Sequence, residues 1–385
     1  MQIIYSDQPL PTSIEQTLFL AGPSIRDHKM IDWRRDAISY LESKKWQGIV
    51  FIPIPEAVFL GQSPLDGGSY DNQIKWERQA RKMSDIILFW VDRSLDDNRL
   101  GLTTNFELGQ DLNTGRVLYG RPDNSDKVRY TDRAVLEYNI KPFNDLNTMI
   151  DRAIEILEPI PRQGGAVNVP ANIYRHPSFQ NWLFNLQTSG NRLDGADVIS
   201  VFPHDPKNIF FFMLKVDVFI AAEMRHKTNE FITGRINTTT VIPYYRDEDR
   251  TLVVMVMEFR SASLAPEGIV IEFPSGANEG KFDCDNAVKE LFEETGLSIK
   301  SSRLEACGSN QLASTIMTTT SSLYKVELTK EEMDMAWKHA LTGRVFGEKG
   351  SSERTRVLVC DVRDVLTSGA DFSTIGMLAM AGLSA

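Results

Sequence analysis

The run Lys289-Glu290-Leu291-Phe292-Glu293-Glu294-Thr295-Gly296-Leu297 concentrates the chemistry of this chain. Its three carboxylates, Glu290, Glu293 and Glu294, stand at i, i+3 and i+4, so in a helix they share one face within a turn of each other. Like charges held that close repel, and either water solvates the face or a cation sits among them. Hard divalent ions such as Mg²⁺ bind through carboxylate oxygens and commonly share their sphere with substrate phosphates. The surroundings favour the cation. An apolar strand pattern, Ile269–Phe273, leads into Pro274-Ser275-Gly276, then a polar loop, then the acidic helix with Gly296 as its stop.

Strand, glycine-containing loop, acidic helix and glycine cap together resemble the box of the Nudix hydrolases, which cleave nucleoside diphosphates linked to another group. The three metal carboxylates of that box are in place, while Lys289 stands at its Arg position and Lys281 at its first Glu position. Lys289 keeps a positive charge without the bidentate fork of Arg. The box glycine falls on Ser275, with Gly276 one place late. Upstream, Leu252–Arg260 ends in Glu258-Phe259-Arg260, and with Pro274-Ser275-Gly276 it is similar to the ADP-ribose pyrophosphatase branch. The resemblance implies a Mg²⁺ or Mn²⁺ cofactor held by Glu290, Glu293, Glu294 and the Ser275 carbonyl, with Arg260 among the substrate-binding residues. Strands within 213–242 look like the segment through which that branch forms homodimers. The family's catalytic base implies Glu348 or Glu353 in the 347–353 loop; Glu353 is preferred because it immediately precedes the next strand, Arg356–Val362. Both also read as ordinary residues of a polar loop.

The elements that must position these groups follow from size and pattern. A chain of 385 residues is comfortable for two domains, and 42% hydrophobic residues suffice for two cores. A net charge of −10 argues against nucleic-acid binding and leaves small phosphorylated ligands open. Three scattered cysteines and five histidines show no disulfide framework or metal-ligand spacing. No apolar run is long enough to span a bilayer and no signal segment is visible, so a cytoplasmic protein without membrane partners is expected. The Pro- and Gly-rich stretch 158–172 reads as a linker between a first domain, 1–157, and a second, 173–385, that opens with a helix near Ser178–Thr188. Before the linker, strands at Thr17–Ala21, Ile49–Ile54, Ile86–Val91 and Val117–Tyr119 alternate with helices at Trp33–Ser43, Asn72–Met83 and Phe106–Thr114. That rhythm predicts an α/β domain with a doubly wound parallel sheet, and ligands at the carboxyl ends of its strands. An α+β Nudix fold is expected after it.

Three clusters fall where such a sheet exposes them: Leu20–Arg26, Trp76-Glu77, and Thr103–Gly109 with its Glu-Leu-Gly. With Trp33-Arg34 they resemble a divergent branch of the nucleoside 2-deoxyribosyltransferases, over about 18–121. The resemblance implies Glu107 as nucleophile on an anomeric carbon and Glu77 as its partner carboxyl, the chemistry of retaining glycosidases. It further implies substrate contacts at Gly22, Ser24, Arg26, Asp97 and Thr104, with Ser24 and Arg26 suited to a phosphate. The plain alternatives are Glu107 as a helix-start acid and Glu77 as a surface partner of Arg81 at i+4. Asp85 reads as a cap at a strand start, and Trp33, Trp46 and Trp76 as core.

Two such domains imply linked steps on small-molecule nucleotide substrates: cleavage or exchange of an N-glycosidic bond, and Mg²⁺-dependent pyrophosphate hydrolysis, in either order. A sensor that binds ADP-ribose-like ligands without turnover, and a first domain that serves only as a dimerisation scaffold, are the competing expectations.

Overall fold

The computed structural model describes residues 1–24, 32–62, 70–204, 206–278, 283–347, 350, 352–367 and 370–383. They fall into two compact units, Met1–Arg235 and Ile236–Ala385.

The first unit is built on five parallel strands in the spatial order Gln2–Tyr5, Ile49–Ile52, Thr17–Ala21, Ile86–Trp90, Val117–Gly120. Thr17–Ala21 and Ile86–Trp90 are buried at every position, as a sheet covered on both faces requires. Successive side chains alternate between two cores. Leu18, Leu20, Leu88 and Trp90 join Trp33, Ala37 and Leu41 of the Trp33–Ser43 helix, while Phe19, Phe89 and Val91 join Met83 and Leu108 on the other face. Burying each of Phe19, Phe51 and Phe89 stabilises the fold by about 1.5–3 kcal/mol. The chain leaves Thr17–Ala21 for its neighbour on one side and later returns to the other with Ile86–Trp90. The carboxyl ends of these two strands are therefore the switch point at which such sheets hold ligands.

The stretch 158–172, expected as a linker, is ordered into this unit. Arg162 is buried and places both its terminal nitrogens on Asp85, at 2.6 and 2.7 Å. Asp85 also accepts from the Thr17 and Ala171 backbone N–H groups. Arg162→Ala leaves that carboxylate buried without its charge partner and is expected to cost about 3–5 kcal/mol, read as a lowered denaturant midpoint for the first unit. An unchanged midpoint would show that the segment is not anchored there.

The unit boundary also differs from the expected one. Strands Arg192–Phe202, Phe211–Ile220 and Arg225–Arg235 form an antiparallel sheet backed by the Pro177–Thr188 helix, and this belongs to the first unit. Asn113 donates to the Ile199 carbonyl at 2.8 Å, and Lys82 pairs with Asp197 at 2.6 Å.

The second unit centres on a mixed sheet of eight described strands. Its main path runs Glu305–Gln311, Thr320–Glu327, Thr238–Asp247, Arg250–Phe259, Thr355–Asp361, Val345–Phe346. Ile269–Glu272 pairs with Arg250–Phe259, and Ser275–Ala277 with Thr238–Asp247. Leu252 and Val254 meet Ala287, Leu291, Met333 and Ala336 from the Asp283–Thr295 and Lys330–Thr342 helices. Val253 and Met255 face the opposite core with Val365, Leu378 and Ala381. Among the described residues no helix is long and apolar enough to cross a membrane.

Candidate functional site

At the switch point of the first unit the backbone is crowded. A Cβ on Gly22 would lie 2.2 Å from the Trp90 carbonyl oxygen and 3.0 Å from the Trp33 ring. Gly101, left-handed at φ +59°, starts the Leu102–Asp111 helix, and a Cβ there would lie 2.7 Å from Pro23 Cγ. Arg34 holds the Gly22 loop from beneath. It is fully buried, donates from Nη1 to both Asp32 carboxylate oxygens at 3.1 Å, and donates to the carbonyls of Leu20 at 2.9 Å and Gly22 at 2.7 Å.

Glu77 on the Tyr70–Met83 helix and Glu107 on the Leu102–Asp111 helix meet through a side-chain hydrogen bond, so one proton serves two carboxyls. Both residues keep part of their surface in solvent while their carboxyl groups are desolvated. Burial pushes the Glu107 carboxyl up to about 7 against the opposing charge of Arg81, and Glu77 and Asp111 push it further the same way. Burial also raises Glu77, opposed by its hydrogen bond from Gln73 at 2.8 Å and by Arg81. Glu77 is thus not a solvated helix-face residue, and Glu107 lies within the helix rather than at its exposed start.

Of the other expected contacts, Thr104 and the loop of Gly22 and Ser24 both approach Gly101, where a Cβ would lie 3.5 Å from Thr104 Oγ1 and 2.7 Å from Pro23 Cγ. Thr104 is buried one turn before Glu107, and Ser24 is half-buried at the end of the Gly22 loop. Asp97 sits in the 94–99 turn, where Arg99 takes its carboxylate at 3.1 Å. Arg26 lies outside the described residues. Trp33 and Trp46 are core, and Trp76 packs against the core while donating to the Gln8 carbonyl at 2.9 Å. Arg81, which the sequence offers only as a surface partner of Glu77, and Asp111, which it does not single out, are both buried and pair across the two carboxylate-bearing helices.

In the second unit the acidic run lies on the Asp283–Thr295 helix, closed by left-handed Gly296 at φ +74°. Its last carbonyls are all engaged: Glu293 by the Gly347 N–H at 3.0 Å, Glu294 by the Thr355 hydroxyl at 3.0 Å, Thr295 by His339 Nδ1 at 2.9 Å. This pins the helix to both ends of the 347–353 loop. Glu290 fills the space over Gly276, where a Cβ would lie 2.0 Å from its carboxyl carbon. Gly276, not Ser275, is therefore the close-approach position. Gly276→Ala is expected to displace Glu290 and to weaken any divalent-cation response of the unit by about tenfold or more, measured as the Mg²⁺-induced rise in melting temperature. An unchanged rise would separate Glu290 from cation binding.

Ser275 reaches the cluster through its backbone N–H, which donates to Glu294 at 3.2 Å. Glu294 is buried, and its carboxyl is raised well above the usual range by burial first and then by Glu353, Glu272 and Glu290. Glu258 is raised for the same reasons, burial leading and Arg260 opposing. Arg260 is engaged by Glu258 at 2.9 Å and by Glu272, and Lys289 lies 3.3 Å from Glu293 and 3.7 Å from Glu290. Glu258, Glu272, Glu290, Glu293, Glu294 and Glu353 thus gather near Arg260 and Lys289. Among the described residues no three acidic, His or Cys side chains converge as ready ligands. Carboxylate oxygens of the kind gathered here are the ligands that hard divalent ions take. Glu353 is coupled to Glu294 and Glu258, whereas Glu348 and Lys281 lie outside the described residues.

No curated protein matches the chain. Residues 15–124 match the family model described as "Nucleoside 2-deoxyribosyltransferase like". That stretch contains the switch-point loop, Glu77, Asp97, Thr104 and Glu107. The chain therefore carries a nucleoside 2-deoxyribosyltransferase-like domain at residues 15–124.

Proposed function

We propose that the protein is a bifunctional enzyme of nucleotide metabolites, whose first unit cleaves or exchanges an N-glycosidic bond. The observation that carries this reading is the Glu77–Glu107 hydrogen bond between desolvated carboxyls at the carboxyl edge of a doubly wound sheet. Ionised Glu107 attacks the anomeric carbon, the C–N bond breaks, and its electron pair leaves with the base. Glu77 orients the sugar, and the departing base takes a proton from solvent. Water or a second base then displaces Glu107 and restores the carboxylate.

The second unit is read as a pyrophosphatase of the Nudix type, acting on ADP-ribose or a related nucleoside diphosphate derivative. Glu290, Glu293 and Glu294 would hold Mg²⁺ or Mn²⁺, which supplies Lewis acidity and neutralises the pyrophosphate. Glu353 takes the proton from the attacking water, and Arg260 faces the substrate's negative charge. A sensor that binds without turnover is the competing reading, favoured by Lys289 resting on Glu290 and Glu293. Both readings place the protein among small nucleotides, as a homodimer in the cytoplasm.

The test incubates purified protein and Mg²⁺ with NAD, ADP-ribose, NADH, nucleoside triphosphates and 5′-monophosphates, and separates the products chromatographically. Free base and AMP are the expected products. Retained ligand with no product from any substrate would replace the enzyme reading by the sensor.

A further inference from the structure

Arg81 occupies an unusual place for a residue one turn beyond Glu77 on the same helix. It is buried, and its guanidinium crosses to the neighbouring helix, where it engages Asp111, the Gln110 side chain at 3.0 Å and the Glu107 carbonyl at 3.4 Å. The helix bearing Glu77 is thereby tied to the helix bearing Glu107 by one planar fork. Other charged groups complete the surroundings. Arg34 acts on Glu77 from the start of the Trp33–Ser43 helix, and Arg116 lies 3.7 Å from Asp111 while donating to the Arg81 carbonyl at 2.7 Å.

We infer that Arg81 is the positioning residue of the carboxyl pair: it fixes the separation of the two helices that carry Glu77 and Glu107, with Asp111 holding its fork in place. The inference rests on the N-glycosidic reading of the site for its purpose, and on the helix-to-helix contacts for its geometry. Arg81 touches no reacting atom. Its charge favours the ionised form of both Glu77 and Glu107, whereas Asp111 disfavours ionised Glu107. Removing Arg81 and removing the charge of Asp111 must therefore act on Glu107 in opposite directions. A brace with only a structural role has no reason to show that opposition.

The experiment follows the side-chain carboxyl carbons of ¹³C-glutamate-labelled full-length protein by NMR across pH, without substrate. The Glu107 signal is the one lost in Glu107→Gln, and in the native chain it should titrate near pH 7. Arg81→Gln should move that titration up by about one pH unit or more, Asp111→Asn should move it down, and Arg81→Lys should stay near native. If Arg81→Gln does not fold, Asp111→Asn and Arg81→Lys still decide the matter. Titrations that stay together in folded variants, or that move in the same direction, overturn the inference. Because no turnover is read, absence of base release by the native protein would remove the glycosidic reading while leaving the Arg81 result intact.

Discussion

Glu107→Ala is expected to abolish release of free base from N-glycosidic substrates, with kcat reduced by at least about 10³-fold, and to leave the proposed pyrophosphate hydrolysis by the second unit unchanged. The size follows from the role: without the carboxylate there is no covalent intermediate, and water must attack unaided. If the first unit were only a scaffold, neither activity would change. The pH dependence has a definite sign. Glu107 must be ionised to attack, and burial raises its carboxyl to about 7, so kcat rises with pH through that region and levels off above it. Stability runs the other way. Between the ordinary carboxylate range and about 7 the folded protein holds a proton that the unfolded chain has released. Folding stability therefore falls as pH rises through this window, by about 1–3 kcal/mol. Glu107→Gln, which cannot ionise, should melt higher than the native chain at pH 8 and show less advantage at pH 5. Equal shifts at both pH values would show that the buried carboxyl is not ionised at the cost of stability.

What the sequence disclosed about this unit divides along a physical line. Thr17–Ala21 and Trp33–Ser43 were legible to the residue, because a fully buried parallel strand reads as an unbroken apolar run and an amphipathic helix as a 3.6-residue period. Glu77 and Glu107 were legible as a pair through motif order. Their environment was not, since the Tyr70–Met83 and Leu102–Asp111 helices are brought together only by the sheet. Arg81 reads in one dimension as a solvated i+4 partner of Glu77, and its turn towards Asp111 depends on a helix about thirty residues away. The 158–172 stretch has a linker's composition, yet Arg162 finds a carboxylate that only the folded sheet buries. The last helix, Phe372–Met380, lies in a tail rich in small residues that suggests no element, yet Leu378 within it and Ala381 just past its end join a core of the second unit. In the acidic box, the one-place shift of the glycine was visible in sequence. Its reason is the Glu290 carboxyl resting where a Gly276 side chain would stand.

Glu294→Gln is expected to remove the divalent-cation response of the second unit and to lower pyrophosphate hydrolysis by at least about 100-fold. Among the three carboxylates of the box, Glu294 is the most deeply buried, and burial with the neighbouring Glu353, Glu272 and Glu290 raises it well above the usual range. A cation that binds there competes with a proton held more tightly than by an ordinary carboxylate. Mg²⁺ binding should tighten as pH rises and should release protons, measurable by calorimetry in two buffers of different ionisation enthalpy. The linkage sign for the cation-free protein is opposite. A carboxyl raised in the folded state lowers stability as pH climbs above its unfolded value, so the Gln variant without metal should be the more stable form at pH 8. The native chain should then gain melting temperature on adding Mg²⁺ where the variant gains none. Proton release with no hydrolysis in the native chain would identify a cation-dependent sensor. Binding without any proton release would place the cation away from Glu294.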